Sequence, residues 1–138
     1  MLVLEFYVDD DRFLIPVTAV ESIMAIPSNT AFIPRHDDIR VELFSHRGTI
    51  TPLIDFNLLL DSTQSTRNQV ITFLIDNRFF AFYITDVGSV LSVDSDRVTD
   101  VERPTSFIVG RCEISGKIYS LIDPAALADR VRKSARIA

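Results

Sequence analysis

Residues 46–60 have the sequence HRGTITPLIDFNLLL, and residues 114–128 have the sequence ISGKIYSLIDPAALA. At an offset of 68 residues, the two stretches share a glycine turn and a strand that ends in Leu-Ile-Asp. The matched pairs are Gly48 and Gly116, Ile50 and Ile118, Leu53 and Leu121, Ile54 and Ile122, Asp55 and Asp123, and Leu59 and Leu127. This period is too long for a solenoid repeat, and two copies are too few for one. The pattern predicts an internal duplication.

The duplication continues upstream at an offset of 67 residues, where VTAVESIM at 17–24 aligns with ITDVGSVL at 84–91. Two similar subdomains, about 1–66 and about 67–138, are therefore expected within a single domain that spans 1–138. A unit of roughly 65–70 residues is marginally stable by itself. We expect the two units to share a core and to form a groove where they meet.

Composition limits the class of protein. Of the 138 residues, 47% are hydrophobic, which is enough for a packed core, and the net charge is −5. An acidic chain without a basic cluster outside its C-terminal tail argues against a nucleic-acid partner. The sequence has no apolar run of about 20 residues, and its first residues, which lack a basic region, are not expected to form a signal peptide. We therefore expect a cytoplasmic protein without direct membrane insertion. Its single cysteine, Cys112, lies in an apolar run and is predicted to be a buried structural thiol.

The pattern of apolar runs and turns predicts a mainly β fold. The expected hairpins pair Leu2–Val8 with Arg12–Val17, Val41–Ser45 with Thr49–Ile54, Val70–Ile75 with Phe79–Ile84, and Phe107–Ile114 with Lys117–Ile122, and single strands are expected at Ser22–Ile26 and Ser89–Val93. Five short strands per half favour two small five-stranded β-barrels, each closed by a helix.

The two helices are predicted from their caps. Asp55 and Asp123 follow the last strand of each half, and aspartate is a favoured N-cap residue. Proline follows Asp123 at the first helical position, which strengthens that assignment. The first helix is expected to end near Asp61. The second, the longest helix, is expected to run to about Ala135, and the polar stretch 61–69 connects the two halves.

Few residues suggest catalysis. His36, Asp37 and Asp38 could be imagined as metal ligands, although their position after Pro34 favours a solvated loop. The other arrangements are an acid–base pair of Asp55 and Asp123 and a triad of Ser45, His46 and Asp55. Capping explains both aspartates, and no G-x-S-x-G motif supports a triad. We predict a protein that is not an enzyme and has no cofactor or metal.

The order of motifs points to a family. Ile15-Pro16-Val17 is followed three residues later by Val20, and the chain continues to Arg47-Gly48-x-Ile50-x-Pro52-Leu53-Ile54-Asp55 and a closing Leu121-Ile122-Asp123. From Leu2 to about Ala128, this order resembles the CheW-like domain of bacterial chemosensory signalling. The family's glycine, asparagine and leucine ahead of the Arg-Gly turn are replaced here by Glu42, Ser45 and His46. The acid of the family's V-x-E-I motif falls on Ser22, with Glu21 beside it.

The resemblance implies two five-stranded barrels around a shared core and a non-catalytic adaptor. Such adaptors couple chemoreceptor tips to a CheA-type histidine kinase of a two-component system, in chemotaxis or in control of type IV pili. One barrel docks on the kinase regulatory domain, and the groove takes the receptor tip. We assign the receptor side of the groove to Val20, Glu42, Ser45, His46, Arg47 and Val87.

Several alternatives stay open at this point. Arg47 is expected to pair with a nearby acid such as Glu21, to contact a receptor, or to do both. Val20 and Val87 fit a core role as well as a groove role. Glu42 is expected either to be buried and unpaired at a high cost or to stay exposed and rim the groove with negative charge, and an acidic rim would weaken receptor binding. The alternative function is a small-ligand-binding β module that uses the same groove.

Overall fold

The computed structural model describes residues 1–33, 41–56, 66–101 and 107–135. Within them the strands are β1 Leu2–Val8, β2 Asp11–Pro16, β3 Val20–Met24, β4 Ala31–Ile33, β5 Val41–His46, β6 Thr49–Asp55, β7 Gln69–Ile75, β8 Arg78–Ile84, β9 Asp86–Ser92, β10 Val98–Thr99, β11 Ile108–Ile114 and β12 Lys117–Ile122. A C-terminal helix spans Pro124–Ala135, and single 3₁₀ turns lie at Val17–Ala19 and Ser95–Arg97. In this part of the chain, no helix combines the length and apolarity that crossing a membrane requires.

The two glycine turns have matching backbone geometry. Arg47 and Gly48 have φ angles of 50° and 76°, and Ser115 and Gly116 have φ angles of 52° and 78°. Two successive residues with positive φ form the turn whose twist suits a two-residue hairpin. Because glycine has no Cβ, it adopts the second position without strain. The duplicated glycine therefore fixes the hairpins β5–β6 and β11–β12.

The strands form two six-stranded mixed sheets. The first sheet has the order β10-β11-β12-β2-β1-β9, and the second has the order β3-β7-β8-β6-β5-β4. Each sheet thus combines four strands from one half of the sequence with the opening hairpin of the other half. The chain crosses from the first sheet to the second through the 3₁₀ turn at Val17–Ala19. It returns between β8 and β9, so the two halves exchange their opening hairpins.

This architecture corrects the expectation of two five-stranded barrels, each built from one half. The sheets are joined across the halves by parallel pairing of β12 with β2 and of β6 with β8. Such long-range pairing leaves no local sequence signal. The additional strands, β4 and β10, have only three and two residues, which is too short for a visible alternation. The division at residues 66 and 67 remains a division of the sequence repeat, and neither sheet is confined to one side of it.

Strand register repeats the duplication. Phe6 of β1 lies opposite Val87 of β9, and the aligned pair, Phe73 and Val20, lies opposite in β7 and β3. An irregularity in the register follows at the same place in both pairs. The two sheets are therefore built to one plan, as the repeat predicts.

A cluster of aromatic side chains fills the space between the sheets. Phe56 is fully buried at its centre, and its ring contacts the rings of Phe6, Phe13, Phe82 and Phe107 at centroid distances of 5.5, 4.8, 5.4 and 5.8 Å. These rings come from both sheets. Each sheet also has a smaller apolar cluster of its own, and Cys112, 1% exposed, lies in that of the first sheet. The prediction of a buried thiol is confirmed.

The C-terminal helix begins with a side-chain cap. Asp123 Oδ1 accepts a hydrogen bond of 3.1 Å from the backbone N–H of Ala125, and the helix starts at Pro124. Leu127, Ala128 and Val131 bury one face of the helix in the central core. The helix predicted to follow Asp55 and to end near Asp61 lies, after Phe56, outside the described residues.

The cap gives a direct prediction. Asp123→Ala is expected to lower the free energy of unfolding by about 1 kcal/mol, because an N-terminal N–H of the helix loses its partner. Urea denaturation measures the change. Asp123→Ser keeps an acceptor at the cap and should retain most of the stability, whereas equal losses in both variants would contradict a capping role.

Candidate protein-interaction site

The hairpin β5–β6 presents three of the predicted receptor-side residues at its turn. Ser45 and Arg47 are exposed, with 68% of the Arg47 side chain accessible. His46, between them, has only 11% of its side chain accessible. Its ring packs against the rings of Phe79 and Phe44, at centroid distances of 5.0 and 5.8 Å. The turn therefore exposes the charged side chain of Arg47, while the neighbouring His46 is largely buried.

The carboxylate of Glu21 on β3 contacts both Arg47 and His46 of this turn. Its Oε1 lies 2.9 Å from Nε of Arg47, and its Oε2 lies 2.8 Å from Nε2 of His46. The Thr72 hydroxyl on β7 donates a further hydrogen bond of 2.6 Å to Oε2. The expected pairing of Arg47 with Glu21 is present. A single carboxylate on β3 thus connects the β5–β6 turn with the neighbouring strand β7.

The environment of Glu21 favours its charged form. Burial alone would raise the pKa of Glu21. Hydrogen bonds from Thr72, His46 and Ser22, with the charge of His46, outweigh burial and lower the pKa from 4.5 to about 2. Glu21 therefore stays ionised across the physiological range, and Arg47 keeps an anionic partner.

This shift predicts part of the acid sensitivity of the protein. A carboxylate with a lowered folded-state pKa contributes stability above pH 4.5, and this contribution is lost as the pH falls towards about 2. We therefore expect Glu21→Gln to reduce stability at neutral pH and to lose less stability than the parent over that window. Urea denaturation at several pH values tests this. Glu113→Gln, which changes an exposed carboxylate on the first sheet, is the matched control, and identical pH profiles for the parent and Glu21→Gln would contradict the assignment.

Glu42 lies inside the second sheet, not on the rim of the groove. Its side chain is buried, and Oε1 accepts hydrogen bonds of 2.9 Å from Thr30 Oγ1 and 3.0 Å from the Tyr83 hydroxyl. Its Oε2 lies 3.4 Å from Nη1 of Arg67. The expectation of an exposed acidic rim formed by Glu42 is wrong. Three donors thus satisfy the buried carboxylate of Glu42 without solvent.

Arg67 connects Glu42 to a second buried acid. Its Nε donates a hydrogen bond of 3.1 Å to Oδ2 of Asp55, whose residue is 1% exposed. Its guanidinium lies over the ring of Tyr83, 4.2 Å from the centroid. Burial, followed by the hydrogen bond to Glu42, raises the pKa of Tyr83 to about 12. The phenol therefore remains a donor to Glu42 at any physiological pH.

These contacts exclude the triad considered from sequence. His46 is bound to Glu21, and Asp55 is bound to Arg67, so the two residues belong to separate clusters. The pair Asp55 and Asp123 is likewise divided, since Asp123 caps the C-terminal helix. No group of three or more His, Cys, Asp or Glu residues suited to a metal ion occurs among the described residues. His36, Asp37 and Asp38 lie outside them.

Val20 and Val87 occupy equivalent places in the two sheets. Val20 is on β3 and Val87 on β9, and both are partly buried against the central core. Their core contact is therefore real. Their assignment to a receptor surface stays a prediction.

The first sheet contains a buried acid, Glu5, whose position resembles that of Glu21 in the second sheet. Glu5 of β1 accepts a hydrogen bond of 3.0 Å from the backbone N–H of Ser89 on β9. A Cβ at Gly88 would clash with Oε1 of Glu5, so this approach requires glycine. In the repeat, Glu5 aligns with Thr72 and Gly88 aligns with Glu21. The first sheet therefore has its acid on β1, whereas the second sheet has its acid on β3, the counterpart of β9. Of these two acids, within the described residues, only Glu21 pairs with an exposed arginine at a hairpin turn.

Comparison with known proteins now identifies the family. The family model described as the CheW-like domain matches residues 2–132. The chain belongs to the CheW-like domain family. Among solved structures, the scaffolding protein TtCheW from Thermoanaerobacter tengcongensis has the same fold, with a TM-score of 0.75, 16% sequence identity and 88% of each chain covered. A search of curated proteins gave no match.

The structure accounts for two of the residues that depart from the family resemblance. His46 stands where the resemblance places leucine, and its ring packs against Phe79 as an apolar residue would. Glu42 stands where the resemblance places glycine, and it is paired with Arg67. Both replacements are therefore accommodated within the CheW-like fold. Arg67, Tyr83 and Thr30 were not identified from sequence as partners of Glu42, because nothing local relates an arginine in a polar connecting segment to a strand 25 residues earlier.

Proposed function

We propose that this CheW-like domain is a non-catalytic adaptor that couples a chemoreceptor tip to the regulatory domain of a CheA-type histidine kinase. The observation that carries the proposal is the family match over residues 2–132. Chemotaxis and control of type IV pili are both pathways in which such an adaptor acts. The partners come from the family resemblance.

The Arg47 turn is the best supported receptor-side feature of the domain. The guanidinium is largely exposed while its Nε is paired with a carboxylate that stays ionised. An arginine held in this way loses little conformational freedom on binding, since its position is already restrained. Its remaining donors suit carboxylate or carbonyl groups of a receptor helix.

The burial of Glu42 supports a receptor site at this turn. Residue Glu42 is 6% exposed and shares Arg67 with Asp55, so it does not project a bare negative charge over the groove. The earlier expectation of weak receptor binding rested on that charge. We therefore propose ordinary receptor engagement through the turn formed by Ser45, His46 and Arg47.

Binding of the purified domain to a receptor tip and to a kinase regulatory domain tests this proposal. Arg47→Ala is expected to weaken receptor binding about tenfold, which corresponds to about 1.4 kcal/mol, and to leave kinase binding unchanged. Arg78→Ala removes an exposed arginine from the neighbouring turn of the same sheet and is the matched control. Calorimetry with both partners measures each affinity.

Two results would oppose the proposal. The adaptor role fails if neither a kinase regulatory domain nor a receptor tip binds the parent protein. The assignment of the Arg47 turn fails if Arg47→Ala and Arg78→Ala bind the receptor alike. Stabilisation by a metabolite in a thermal-shift screen, without binding to either protein, would favour the small-ligand module instead.

A further inference from the structure

A surface patch on the first sheet surrounds Ile118 of β12. The side chain of Ile118 is 60% exposed and lies between two cavities of about 440 and about 280 Å³. Arg97, Arg111 and Glu113 line the larger cavity, and Asp10, Asp11 and Arg12 line the smaller one. We call these seven residues the Ile118 patch.

Charge is divided across the Ile118 patch. Two arginines and one glutamate give the larger cavity an excess positive charge, and two aspartates and one arginine give the smaller cavity an excess negative charge. Within the described part of the chain, none of these six residues forms an ion pair. Ile118 lies between the two sides. The opposite charges are therefore separated by an apolar side chain and remain unneutralised in one molecule.

Such a patch is complementary to itself. A rotation of 180° about an axis through the patch places the positive side of each copy over the negative side of the other copy, so the same contact is made two times. The same rotation brings the two Ile118 side chains together at the centre. In this arrangement the larger cavity of one copy faces the smaller cavity of the other.

We propose that the Ile118 patch is an interface through which two copies of this chain form a symmetric dimer. An apolar centre with a charged rim is the usual arrangement of a protein interface. The area is limited to one face of three strands, so the dimer is expected to be weak and to depend on concentration. Rim charges favour the correct orientation, and added salt should weaken the association.

The duplication provides an internal control for this proposal. Ile50 is the aligned isoleucine in the second sheet, and it is 66% exposed. Its strand, β6, begins after the Arg47 turn, and the arginine of that turn is already paired with Glu21. If exposure of an isoleucine were sufficient for self-association, Ile50 and Ile118 would contribute equally. The proposal assigns association to Ile118 alone and does not depend on the adaptor function.

Sedimentation equilibrium of the whole chain, at concentrations from about 10 µM to about 1 mM, covers the range of a weak dimer. The parent mass is expected to rise with concentration from that of the monomer towards twice that value. Ile118→Asp is expected to raise the dissociation constant at least tenfold, and Ile50→Asp is expected to leave it unchanged. Circular dichroism melting establishes that each variant is folded.

A charge exchange separates the interface from a general effect on the fold. Arg111→Asp and Asp11→Arg are each expected to stay monomeric, because like charges then face each other across the symmetry axis. An equimolar mixture of these two variants should dimerise again, since every contact between unlike copies joins opposite charges. A monomeric parent at all concentrations would overturn the proposal. So would a mixture that fails to associate, or an equal effect of Ile50→Asp and Ile118→Asp.

Discussion

Phe56→Ala is expected to lower the free energy of unfolding by about 3–5 kcal/mol, which is among the largest losses a single substitution causes. The ring is fully buried and contacts four other phenylalanine rings. Phe6 and Phe13 belong to the first sheet, and Phe82 belongs to the second. Removal of Phe56 therefore leaves a cavity at the junction of the two sheets, and the surrounding rings can fill it only in part.

Urea denaturation monitored by circular dichroism measures this loss. Phe32→Ala is the matched control, because Phe32 is 55% exposed and the same atoms are removed. We expect the Phe32 variant to lose much less stability. We also expect the parent to unfold in one transition, since the central core joins both sheets. Similar losses in the two variants would show that Phe56 is not central to the shared core.

Arg67→Ala is expected to cost about 3 kcal/mol, through a different mechanism. Arg67 is the cation shared by the buried carboxylates of Glu42 and Asp55. Its removal leaves two acids inside the second sheet with less compensation, and an uncompensated buried charge is more costly than a lost surface pair. Hydrogen bonds from Thr30 and Tyr83 to Glu42 remain and limit the effect.

A second substitution tests the mechanism. Glu42→Gln in the Arg67→Ala background removes one of the two charges and is expected to recover part of the lost stability. In the parent background, the same substitution should instead be destabilising. Arg78→Ala, at an exposed turn, is the control and should change stability by about 0.5 kcal/mol or less. If Glu42→Gln lowers stability equally in both backgrounds, the two residues are not coupled.

Local sequence predicted much of the secondary structure. The hairpin β1–β2 and the strand Lys117–Ile122 lie within one or two residues of their predicted bounds. The C-terminal helix ends at Ala135, as expected, and its start is marked by the aspartate cap. The strands β3 and β9 begin two or three residues earlier than predicted. Val20 and Val87, which precede the predicted strands, are already part of β3 and β9. This difference concerns only the boundaries of the strands.

The sequence by itself determined the duplication, the mainly β class, the Arg-Gly turn and the family to which the chain belongs. These properties depend on residues close in the chain, or on a repeat that can be aligned without coordinates. Tertiary structure alone decided that the halves exchange hairpins, that Arg67 neutralises Glu42 and Asp55, and that Glu21 supports Arg47. Each of these depends on which distant strands become neighbours, and burial then determines whether a charge is exposed or paired. The sequence alone does not tell whether a glutamate such as Glu42 is exposed or buried and paired. Its neighbours in the tertiary structure decide this.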